Sequence, residues 1–103
     1  MAPFPLVLAA DVPADATKVL AAAQRPRAAA AFEETAAAAA WKTKPSWALI
    51  AGADQAINPE VDRFGARRAG ATVVATEGAS HAVAVSQPKA VPDLIREAVR
   101  AAS

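Results

Sequence analysis

Residues 45–54, Pro45-Ser46-Trp47-Ala48-Leu49-Ile50-Ala51-Gly52-Ala53-Asp54, decide the fold. Pro45 and Ser46 disfavour any helix reaching this point, and Trp47 to Ala51 is a short unbroken apolar run. That pattern predicts a strand buried on both faces in a parallel sheet. Downstream, Asn58 is a helix-capping residue followed by Pro59 at the first helical position, with Glu60 and Asp62 near the positive end of the helix dipole. Val61, Phe64 and Gly65 share one face of this helix. Arg67 and Arg68 occupy its last turn, and Gly70 sits where a left-handed carboxyl-terminal cap belongs. Thr72 to Ala75 then reads as a second short strand. Strand, helix and strand at this spacing make a βαβ unit, in which the strands are parallel and the crossover is right-handed.

Outward from this unit, Gly78-Ala79-Ser80-His81 reads as a loop. A last helix is predicted from about Lys89 to Ala102, with Leu94, Ile95, Ala98 and Val99 in one apolar stripe that packs on the sheet and Ser86 at its start. Toward the amino terminus, residues from Asp11 to about Thr35 predict a pair of helices broken at Gln24-Arg25-Pro26. The alanine run Ala36 to Ala40 is compatible with an extension of the second helix or with a loose link to Trp41. The boundary falls near Thr43, dividing a helical segment, 1–43, from an α/β part, 44–103. Two parallel strands alone are an incomplete sheet, since both carry unpaired edges.

Composition narrows the function. Of the 103 residues 54% are hydrophobic but only 5% aromatic, so alanine dominates and large core-forming side chains are scarce. The net charge of +1, with acidic and basic residues interspersed, recommends neither a nucleic-acid nor a membrane partner. The absence of cysteine removes disulfides, thiolate metal sites and a cysteine nucleophile. The apolar run Phe4 to Ala10 is interrupted by Pro5 and preceded by no Lys or Arg, so it is not read as a signal peptide, and the default location is the cytoplasm. No apolar stretch reaches the roughly 18 to 20 residues of a membrane span.

The candidate chemistry lies after the strands. In open parallel sheets functional residues gather at the carboxyl ends of the strands, where Asp54 and His81 both fall. Neighbouring strands lie about 4.8 Å apart, so the two following loops can bring a carboxylate against an imidazole. Such a pair fixes the ring tautomer and leaves the other nitrogen as a general base for a hydroxyl nucleophile supplied from elsewhere. Taken singly, each residue has a structural explanation as well: a lone histidine is often not catalytic, and an Asp after a strand is often a turn or cap residue. Trp41 and Trp47 are read as packing aromatics rather than pocket walls. One histidine and scattered carboxylates make no metal constellation, no glycine loop is built for phosphate, and no cofactor is implied.

The stretches Trp41 to Ile50, Gly52 to Pro59, Gly70 through Val83 and Ser86-Gln87-Pro88 resemble the last two core strands, acid loop, histidine loop and final helix of the α/β-hydrolase fold family. The resemblance implies an α/β fold: the carboxyl-terminal portion of an α/β-hydrolase, with two short parallel strands in a βαβ unit, flanking helices and a preceding helical lid remnant, to which Ala21 to Pro26 and Phe32 are similar. By the same likeness Asp54 is the acid of a serine esterase-like triad, His81 is its base, and the complete enzyme acts on a small-molecule acyl or ester substrate. Gln55 stands where many relatives have Arg, a departure near the acid loop. The family's nucleophile precedes the acid in G-x-S-x-G, which this sequence lacks. The nearest pattern, Gly78-Ala79-Ser80-His81-Ala82, misses the second glycine and follows the acid, so Ser80 is a poor nucleophile candidate, and Ser46 and Ser86 have structural explanations. The expectation is therefore a triad fragment, inactive alone, that self-associates or is complemented by an upstream segment. The alternative is a small non-catalytic α/β interaction module.

Overall fold

The computed structural model describes residues 3–103. Its centre is a two-stranded parallel sheet of β1, Trp47–Ala51, and β2, Thr72–Thr76, in register from Trp47 opposite Thr72 to Ala51 opposite Thr76. Helix α4, Pro59–Arg68, the fourth helix of the chain, connects the strands and packs on both. Its ends follow the local signals: the Asn58 side chain accepts the Glu60 amide at 2.9 Å, and Gly70 takes φ +69° just past the last turn.

Thr72 donates its amide to Ser46 at one end of the ladder and Gly52 donates to Thr76 at the other, at 2.8 and 3.0 Å. Even-numbered residues of β1 therefore turn their backbone groups to β2, and Trp47, Leu49 and Ala51 turn theirs to an edge that has no strand beside it among the described residues. A groove of about 500 Å³ follows that edge, lined by Trp41, Trp47, Leu49 and, on α4, Val61 and Gly65. The Val61–Phe64–Gly65 face of α4 is thus exposed, whereas Ala66 is buried. Trp41 and Trp47 line the groove instead of filling a core, and neither Asp54 nor His81 borders it.

The last helix, α6, spans Ala90–Ala102 and packs against β1. Only part of its predicted stripe is covered: Leu94 and Ala98 are half-buried, but Ile95 and Val99 remain exposed. Two strands about 4.8 Å apart are narrower than the face of a helix roughly 10 Å across, so one flank of the stripe overhangs the sheet. Ser86 does not begin this helix. It closes a separate short helix, α5, Val83–Ser86, its amide donating to the Ala82 carbonyl at 3.1 Å, and Pro88 follows before α6 starts.

The amino-terminal part differs more from expectation. Helix α1, Phe4–Leu8, forms from the apolar run, with Pro5 tolerated in its first turn. Helix α2, Ala14–Ala22, matches the first predicted helix. The second shrinks to the single turn α3, Ala30–Glu33, and the alanine run is non-helical until a 3₁₀ turn at Ala40–Lys42. Residues 24–38 are exposed throughout, and without apolar burial a short helix does not repay its nucleation cost, whatever the propensity of alanine. The buried apolar residues are mostly small: Ala9, Ala51, Ala66 and Ala79, with Val12 and Ile50 the larger ones. Among the described residues no helix is long and apolar enough to cross a membrane.

Candidate functional site

Asp54 and His81 come from the loops that leave the carboxyl ends of β1 and β2. The loops are tied together by the Ala53 amide, which donates to the Ala79 carbonyl at 2.9 Å. Glycine at position 52 permits the approach: a Cβ there would lie 2.7 Å from Glu77 Oε2 and 3.0 Å from Glu77 Cα. The parallel register does the rest, placing the two loop roots side by side.

The Asp54 side chain is almost completely buried, with 3% of its surface exposed. Its Oδ1 accepts the amides of Ala56 at 2.7 Å and Ile57 at 3.1 Å, an Asx-type turn that fixes the carboxylate plane. Oδ2 lies 2.8 Å from His81 Nδ1. Burial acts to raise the Asp54 carboxyl, but hydrogen bonds from His81, Ile57 and Ala56 and the attraction of a charged imidazole outweigh it and hold the group below its ordinary value. Asp54 is consequently ionised at neutral pH and can only accept, so Nδ1 carries the proton of the shared bond. The His81 side chain is 42% exposed, and Nε2 has no hydrogen-bond partner among the described residues. An imidazole held in this way has one nitrogen committed and the other available to take or give a proton.

Ser80 is 2% exposed, and its hydroxyl accepts the Ala82 amide at 3.2 Å. It makes no hydrogen bond to His81 among the described residues. Its amide donates to Asp11 Oδ2 at 3.1 Å, and the next amide but one, Ala82, donates to the Leu8 carbonyl at 2.8 Å. The histidine loop is thereby bound on both sides of His81 to the segment containing α1. Burial acts to raise the Asp11 carboxyl, and its hydrogen bonding with Ser80 more than offsets that, leaving it below the ordinary value. The Ser86 hydroxyl is buried and has no hydrogen-bond partner among the described residues.

Residues 1–94 match the alpha/beta hydrolase family. The chain belongs to that family. No curated protein matches it, and no solved structure does. For an alpha/beta hydrolase the strand pair, its parallel order and the helix between the strands are the expected framework, and this is the fold that the resemblance implied. The matched range also takes in the amino-terminal segment, so the likeness extends beyond residues 44–103. Among the described residues no group of three or more His, Cys, Asp or Glu is arranged to hold a metal ion.

Asp11 is the residue at this site that sequence reasoning missed. It stands at the start of a predicted helix, where an Asp is ordinarily a cap, and nothing in local pattern connects it to a serine 69 positions away.

Proposed function

We propose that this alpha/beta hydrolase chain supplies the acid, Asp54, and the general base, His81, of a serine hydrolase triad acting on esters or related acyl compounds. The observation that carries the reading is the 2.8 Å contact between a buried, amide-braced carboxylate and Nδ1 of a half-exposed imidazole. In this mechanism Asp54 orients the ring and stabilises the imidazolium. Nε2 removes the proton of a serine hydroxyl as it attacks the acyl carbon, then returns it to the leaving group. The serine and the oxyanion donors come from outside these 103 residues, which contain no G-x-S-x-G. Residues 44–103 form the core part of the site, and residues 1–43 represent the end of a lid.

The unpaired edge of β1 and the apolar groove beside it support attachment of further strands at that side, from a complementing upstream segment or, failing that, from another copy of the chain. The 103 residues alone are therefore inactive. A fluorophosphonate probe, which marks activated serines, tests this: no serine of the isolated chain is labelled. Stoichiometric labelling of Ser80 or any other serine would refute it. A monodisperse monomer that unfolds cooperatively would favour a non-catalytic interaction module.

A further inference from the structure

We infer that Asp11 is a positioning residue for His81, holding the histidine loop in place from the segment between α1 and α2. The inference rests on the reading of His81 as the base. The loop is anchored at three points: Ala79 O accepts the Ala53 amide, Ser80 N donates to the Asp11 carboxylate, and Ala82 N donates to Leu8 O. Two anchors are backbone to backbone. The third is a side chain, and it grips the residue immediately before His81.

Ser80 is 2% exposed, so its amide has little access to water, and loss of the carboxylate leaves a buried donor unpaired. A bond to a carboxylate is also stronger than one to a neutral acceptor. Asp11 is exposed, so water still reaches its carboxylate, and its hydrogen bonds outweigh the desolvation it suffers at the loop. Because reactivity is sensitive to displacements of about 1 Å, an anchor one residue from the imidazole governs how well Nδ1 meets Asp54. It also links the amino-terminal helices to the acid–histidine pair, so that their displacement shifts the ring.

The test is nuclear magnetic resonance on the full chain, in wild type, Asp11→Ala and Asp11→Asn. His81 is the single histidine, so its Nδ1 proton is assigned without ambiguity. In Asp11→Ala the Ser80 amide exchanges with solvent roughly tenfold faster relative to the Gly52 and Thr72 amides of the ladder, and the Nδ1 proton signal is lost to exchange. Asp11→Asn retains an acceptor oxygen of the same shape and restores both. An unchanged Ser80 amide and Nδ1 proton in Asp11→Ala overturns the inference. Equal loss of protection at Gly52 and Thr72 also overturns it, since Asp11 would then support the fold in general. A wild-type chain with no bonded Nδ1 proton contradicts the Asp54–His81 pairing itself, whereas a normal wild-type signal that Asp11→Ala leaves intact rules out the role of Asp11 alone.

Discussion

His81 Nδ1 and Asp54 Oδ2 stand 2.8 Å apart across the ends of two parallel strands, although the residues are 27 positions apart in the chain. The contact is made by loops rather than by the strands themselves, so its precision depends on how each loop is braced. Asp54 is braced by two amides of its own turn, and His81 by neighbours whose backbone is bound elsewhere.

Replacing Asp54 with Asn removes the charge while preserving the shape. The Asn amide can present an N–H to Nδ1, which turns that nitrogen into an acceptor and moves the ring proton to Nε2. Nitrogen-15 spectra of His81 are expected to show the Nδ1–H tautomer in wild type and the Nε2–H tautomer in Asp54→Asn. The same tautomer in both would mean that the carboxylate does not set the ring.

Acid should weaken the fold through these two aspartates. Asp54 and Asp11 are both held below the ordinary value of 3.8 in the folded chain, so the unfolded chain binds protons first as pH falls. Their stabilisation is complete well above 3.8 and is lost as pH falls through the lower folded-state values. Urea midpoints are expected to be level above about pH 5 and to decline below about pH 4, with a shallower decline in Asp54→Asn.

Asn58→Ala removes the acceptor for the Glu60 amide at the start of α4. The expected loss is about 1 kcal/mol of stability, seen as a lower urea midpoint with unchanged slope. The His81 ring signals should not move, because Asn58 does not bond to either partner of the pair.

What could be read from the sequence was what short-range chemistry dictates. The run Trp47 to Ala51, the Asn58-Pro59 start and Gly70 each carry their signal within a few residues, and the elements lie where those signals put them. The closeness of Asp54 and His81 was inferable because parallel pairing converts a regular spacing into adjacency. Asp11 was not, since its bond to Ser80 depends on where α1 settles, and the covering of Ile95 and Val99 was misjudged because stripe width says nothing about sheet width. For the alanine run the sequence allows a helix or a loose link, and the link forms because no surface is there to stabilise the helix that propensity favours.

The most direct measurement is the turnover of an activated ester by a complete enzyme, made by joining this chain to an upstream hydrolase segment that carries G-x-S-x-G and the oxyanion donors. With His81 as the base, His81→Ala should lower kcat by roughly ten-thousandfold or more while the fluorophosphonate-accessible serine remains in place. Turnover in His81→Ala equal to that of the unaltered enzyme would contradict the assignment.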